Sequence, residues 1–208
     1  MRRSLLRFAA PTLAVLAVGL WMAPASRAQD NATQRLRGEV TRVDGDMIYI
    51  RASNGQPATV LLTPDATIIS IKPAKLSDIK PGRFVGTAAR PEPGGRWQTI
   101  EVHIFPVGSR LGEGHHPWAP EPGATMTNAD VTAAAIKAGN GKMTLATGGQ
   151  TYEFDVPKKT PIVTMDPGTR ALVKKGARVA INRAQPGAGG SYIAKSIEVI
   201  TAPNYPPK

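Results

Sequence analysis

The 208-residue chain contains only three histidines, His103, His115 and His116, and two of them are adjacent in "RLGEGHHPWAP", residues 110–120. Imidazole nitrogens beside a carboxylate suit zinc, copper or nickel. The candidate metal set is therefore His115 and His116 with Glu113, completed by His103. Adjacent residues on an extended chain point to opposite faces, so the pair converges on one ion only if this stretch turns. The competing reading is a connector stiffened by glycine and proline, with Trp118 packed into a groove between domains.

Other chemistry is sparse. The sequence has no cysteine, which removes thiol catalysis, iron–sulfur clusters and cysteine-bound zinc. It has no G-x-S-x-G elbow, no H-E-x-x-H helix and no P-loop. Asp44 and Asp46 lack the further oxygen ligands and distal glutamate of a calcium loop, and hairpin geometry explains them better. The expectation is a protein that is not an enzyme. Aromatic residues make up 5% of the chain. Phe84 and Phe154 read as core, whereas Trp97 and Tyr192 stay open as ligand-contacting or interface residues together with Trp118.

The N-terminus supplies a compartment. Arg2, Arg3 and Arg7 precede an uncharged run from Phe8 to Met22, and Ser26-Arg27-Ala28 follows. This is the pattern of a secretory signal cleaved after Ala28. The run of 15 residues contains Pro11 and is shorter than the ~20 apolar residues of a spanning helix. The alternative is an uncleaved anchor. The expected location is the periplasm, with no transmembrane span in the mature chain. Residues 1–28 hold four arginines and no acid, so +7 of the formal +11 belongs to the remainder. Its lysines and arginines are scattered, as on a solvated surface. Binding of a polyanion or glycan is a further reading of that charge, and nucleic acid is not favoured for an exported chain. The partner expected is an unidentified cell-envelope protein or ligand.

The elements that must position these residues follow from an internal repeat. "TVLLTPDATIISIKPAKLSDIKPGRFVG" is answered by "YEFDVPKKTPIVTMDPGTRALVKKGARVA". Pro64 aligns with Pro157, Thr67 with Thr160, Pro73 with Pro167, Gly82 with Gly176 and Val85 with Val179, and "TIEVHI" at 99–104 with "SIEVIT" at 196–201. Alternating runs flank Asp44-Gly45-Asp46, a hairpin signal in which glycine supplies positive φ. Further turns are expected at Gly139-Asn140-Gly141 and Gly148-Gly149. "KLSDIKPG" reads as one helical turn before the next strand. Asp130 to Ala138 is alanine-rich, but its repeat equivalent is a strand. The fold class expected is all-β: two tandem small barrels of the oligonucleotide/oligosaccharide-binding (OB) type, joined by a Gly/Pro-rich linker. The boundaries are 1–28 signal, 35–106 first module, 107–124 linker, 125–202 second module and 203–208 tail.

The order "G-x-V-x-x-V-D-G-D", "L-T-P-D-A-T", "L-S-D-I-K-P-G-R-F-V-G" and "E-V-H-I-F-P" resembles the bacterial exported domains of unknown function numbered 5666. The linker "GEGHHPWAPEPGATMTNADV" resembles that of a two-module subgroup. The resemblance spans most of residues 35–202 and implies architecture, with no catalytic residues to carry over. Some of that subgroup are labelled metal transporter permeases. A permease needs several spanning segments, and only the N-terminal run here is apolar enough to be weighed as one.

Overall fold

The computed structural model describes residues 33–137, 140–203 and 205. The expected signal with its cleavage after Ala28 lies outside the described residues, as does part of the turn at Gly139. The strands are β1 (Gln34–Asp44), β2 (Met47–Ala52), β3 (Pro57–Pro73), β4 (Phe84–Glu92), β5 (Arg96–Ile104) and β6 (Gly114–Pro117). They continue with β7 (Thr125–Lys137), β8 (Asn140–Thr147), β9 (Gln150–Val156), β10 (Ile162–Pro167), β11 (Arg178–Pro186) and β12 (Tyr192–Ile200). The all-β expectation holds. The alanine-rich segment is strand β7, and Leu76–Asp78 and Arg170–Leu172 are single 3-10 turns at matching places before β4 and β11. Gly45 and Gly148-Gly149 adopt positive φ at their tight turns. No helix among the described residues is long and apolar enough to cross a membrane.

The tandem arrangement does not hold, because neither module closes on its own strands. The meander β1-β2-β3 is completed by β11 and β12 from the second module: β12 runs parallel to β3, and β11 pairs β1. This is a closed five-stranded barrel. The meander β7-β8-β9 is completed by β4 and β5 from the first module, through β4–β7 and a short parallel contact of Trp97 with Phe154 and Gln98 with Asp155. Each half of the chain thus donates its last two strands to the other half. Exchange of an identical element preserves the contacts of a closed unit, and the hinge segment decides which form is adopted. Here the hinges leave the strand ends at Pro73 and Pro167, one of the proline pairs matched in the repeat.

The halves meet where β3 and β10 pair antiparallel, with Pro73 opposite Val163, Ile71 opposite Met165 and Ile69 opposite Pro167. The Pro73–Pro167 match carries Ile69 onto Val163 and Ile71 onto Met165, so this ladder maps onto itself under the repeat. The same symmetry governs the bulges in β1 after Val40 and in β7 after Val131. Val40 exchanges backbone hydrogen bonds with Ala177 and Gly176, and Val131 with Arg83 and Gly82. Gly176 and Gly82 have φ near +80° there, a conformation that costs glycine least. The Thr41 and Thr132 hydroxyls bridge to the Tyr49 and Thr144 carbonyls at 3.1 and 3.2 Å.

Three apolar clusters follow from this topology. Val40, Ile48, Ile50, Leu62, Ile181 and Ile197 fill the barrel. Val85, Val102, Ile104, Met143, Leu145 and Phe154 fill the second ring of strands. Ile71, Phe84, Phe105, Met165, Ile200 and Tyr205 form the seam. Phe84 and Phe154, 6% and 1% exposed, are core as expected.

The exchange also corrects the repeat register in the last strand. Val85 faces Ile104 and Val179 faces Val199, so Val85 on Val179 requires Ile104 on Val199. His103 then matches Glu198, and Trp97 matches Tyr192. The sequence match of "TIEVHI" to "SIEVIT" is displaced by two residues. A shift of two keeps every side chain on its face, because the strand period is two, so alternation alone does not expose it.

Ile197→Ala and Ile104→Ala each remove a side chain that is at most 2% exposed, and each costs about 2–5 kcal/mol. Hydrogen exchange separates them. Ile197→Ala raises exchange in residues 34–62, far away in sequence, more than in 125–156, and Ile104→Ala does the reverse. Closure within each module predicts the opposite assignment.

Candidate functional site

The linker is built against the edge of β7. Gly114–Pro117 adds to that edge as β6, with His115 opposite Thr127 and His116 opposite Met126. Side chains fasten it. The Arg110 guanidinium binds Glu113 at 2.6 and 3.0 Å and Asp130 at 2.7 Å, and lies 4.9 Å from the Phe84 ring centre. The Asn128 amide donates to the Gly112 and Leu111 carbonyls at 2.9 and 3.3 Å. Gly114 has φ +129°, and a Cβ there would stand 2.7 Å from the His116 ring. The linker is therefore a strand of the fold, not a connector alone.

As the strand pleat requires, the two histidines diverge. His115 turns inward to the mouth of the second ring. Its ring stacks on Tyr152 at 4.4 Å and 9°, meets Trp97 edge-on at 5.2 Å, and its Nδ1 lies 2.8 Å from the Thr127 hydroxyl. Burial, then the nearby His116, holds the His115 pKa below the ordinary imidazole value. His116 faces outward, with Nε2 3.3 Å from the Glu113 carbonyl. The Glu113 carboxylate is occupied by Arg110. Elsewhere, His103 Nε2 lies 3.1 Å from both Glu101 Oε1 and the Tyr205 hydroxyl. The structure therefore does not gather His103, Glu113, His115 and His116 at one point. Among the described residues, no group of three or more His, Asp or Glu is placed to hold a metal ion.

Trp118 is half-buried, and its amide bonds the Ala124 carbonyl at 2.8 Å to close the turn into β7. It belongs to none of the three apolar clusters. Glu121 in that turn pairs with Arg90, one contact at 2.7 Å, which holds the Glu121 carboxyl below its usual range. Trp97 and Tyr192 occupy equivalent places at the two mouths. The Tyr192 hydroxyl donates to Gln34 at 3.1 Å.

Sequence reasoning missed the polar cluster on the seam. Glu101 and His103 share a strand face, as alternation requires, but that face is covered: their side chains are 5% and 12% exposed. The cover includes the terminal segment, read from the sequence as a tail. Tyr205 is 7% exposed, and Arg178 holds the carbonyls of Ala202 at 2.9 Å, Pro203 and Tyr205. One Glu101 oxygen is buried with no hydrogen-bond partner among the described residues. Burial, then the charges of Glu101 and Glu198, pushes the Tyr205 phenol far above its usual value. Burial likewise raises the Glu198 carboxyl, although Asn182 donates to it at 2.7 Å. The only sequence signal was Tyr205 as a lone aromatic among prolines.

Comparison with protein-family models, curated proteins and solved structures finds no match to this chain.

Two titrations check these environments. A depressed His115 pKa means the unfolded chain binds more protons near pH 6, so its contribution is full above the unfolded value of about 6.5 and is lost as pH falls. His115→Gln flattens the stability profile below about pH 6.5, and an NMR titration of His115 has its midpoint below that value. Glu198 has the opposite sign. Its raised pKa means its contribution is fully present below the unfolded value and is lost as pH rises through the folded one. Glu198→Gln therefore raises the melting temperature at pH 7, and the gain disappears in acid.

Proposed function

We propose that the chain is an exported, non-enzymatic binding or scaffolding module of the 5666 family, built from two interlaced barrels of the OB type and acting in the periplasm. The observation that carries the reading is the seating of His115. A strand added to an exposed edge places one ring into a barrel mouth, between Trp97 and Tyr152. That is how a sheet edge recognises an extended segment: main-chain pairing gives affinity, and alternate side chains give specificity. The five-stranded closure and the signal-like N-terminus support the OB and export parts of the proposal.

A second reading, binding of an anionic polymer or glycan, draws on a cleft of about 450 Å³ lined by Arg37, Arg51 and Arg178. Glu39 takes part of that charge through Arg51 at 3.3 Å.

The test is a panel of envelope peptides, glycans and polyanions against purified protein, followed by thermal shift and by product analysis. A saturating ligand at 100 times its Kd adds about 2.7 kcal/mol of stability, without product. Turnover of an ester, glycan or phosphate substrate at an enzymatic rate overturns the reading. Affinity that falls steeply with salt, together with loss of binding in Arg37→Ala/Arg51→Ala, selects the polyanion.

A further inference from the structure

The two barrel mouths are equivalent by the repeat but unequally covered. Matching Val40 to Val131 places Arg35 on Met126, Leu36 on Thr127 and Arg37 on Asn128. On β7 those residues pair β4 on one side and β6 on the other. On β1, Gln34–Arg37 pairs β11 on one side, whereas β2 begins its pairing only at Gly38. Among the described residues, no strand covers the second edge of Gln34–Leu36. Burial reflects the difference: Thr127 is 0% exposed, while Leu36 is half-buried and Arg35 and Arg37 are exposed.

The free edge borders a groove of about 420 Å³ lined by Arg35, Leu36, Arg37 and Ser53, and by Ala119 and Pro120 of the linker. Backbone alternation sets its polarity. The Trp118 amide bonds the Ala124 carbonyl across the β6–β7 ladder, so Met126 and Asn128 direct their backbone groups towards β6. Their equivalents Arg35 and Arg37 direct theirs into the groove. Ser53 already occupies the Arg37 carbonyl, at 2.8 and 3.2 Å, which leaves Arg35 as the pairing residue.

Side chains specify the occupant. His115 in the second ring stands on Tyr152 beside Trp97. In the barrel the equivalent of Trp97 is Tyr192, but the equivalent of Tyr152 is Ala58, and both, like Leu36, pack against the barrel core. Tyrosine to alanine removes more side-chain volume than the change from Thr127 to Leu36 adds, which favours a ring larger than imidazole. On the outer face, the residue after that ring would lie opposite Arg35, where opposite charge is favoured across strands, and the residue before it would face the exposed Arg37 side chain from beyond Ser53.

Resting on the binding reading above, we infer that the free edge of β1 receives an extended segment of a partner polypeptide with the pattern acidic–aromatic–acidic. The aromatic ring enters the mouth over Ala58 beside Tyr192, and the two carboxylates pair with Arg35 and Arg37. The linker strand is the intramolecular counterpart of this complex.

The probe is a fluorescein-labelled Gly-Glu-Phe-Glu-Pro peptide titrated with the purified chain by anisotropy, beside versions with Lys for both Glu or Ala for Phe. The acidic aromatic peptide binds at least tenfold more tightly than either control. Ala58→Tyr, which builds the second ring's tyrosine into the barrel, and Arg35→Glu each weaken it at least tenfold with the circular dichroism melt retained. Amide shifts on binding centre on residues 34–37 and 58. Equal binding of the Ala-for-Phe peptide, or full competition by polyphosphate with no effect of Ala58→Tyr, reduces the site to an anion cleft and overturns the inference while the binding reading stands. Self-association in sedimentation that Arg35→Glu abolishes assigns the edge to a second copy and overturns it as well. Enzymatic turnover in the panel above removes the binding reading itself.

Discussion

The antiparallel pairing of β3 with β10 is the contact on which the rest of the architecture depends. It sets Ile71 against Met165 at the point where the ladder maps onto itself. From there each half sends its last two strands into the other's sheet. Closure of either ring consequently requires strands from both halves of the chain. The barrel core joins Ile48 and Val60 to Ile181 and Ile197, which makes the two halves one structural unit. With no cysteine to cross-link it, apolar burial and ladder hydrogen bonds must hold that unit together.

Duplication gives the molecule two equivalent mouths, and small sequence differences make them unequal. Tyr152 and Trp97 offer His115 two aromatic partners, while Ala58 and Tyr192 offer one. Asn128 and Asp130 fasten the linker to β7, whereas Arg37 and Glu39 stand at the matching places on β1. The linker has one edge it can satisfy, and it occupies the one with amide and carboxylate anchors. The groove left beside β1 is bordered by arginines, so its chemistry differs in sign as well as in occupancy.

Much of the local structure was legible. Asp44-Gly45-Asp46 marked its hairpin because the turn requires positive φ, and Gly148-Gly149 did the same. The repeat identified Asp130 to Ala138 as strand against its alanine content, and β7 bears this out as far as Lys137. The match of Gly82 with Gly176 marked the two places where a 3-10 turn closes onto a bulged strand. The candidate site was less legible. Adjacent histidines have no fixed relation until the chain is known to be extended, and extension then separates them. The surroundings of His103 were not legible, because nothing in its neighbourhood announces that Tyr205, about one hundred residues later, packs against it.

The sequence by itself determined the fold class, the duplication, the turns and which face of each strand is apolar. These are properties of the local backbone and of a period of two, written into neighbouring residues. Tertiary structure alone decided which hairpin completes which barrel, the two-residue offset of the last strand, and the fate of the linker. Exchanged and closed barrels pair the same repeat positions, and a shift of two preserves alternation. Neither choice leaves a mark on local pattern; the first follows the direction in which the chain leaves Pro73 and Pro167, and the second the pairing of β5 with β4 and of β12 with β11.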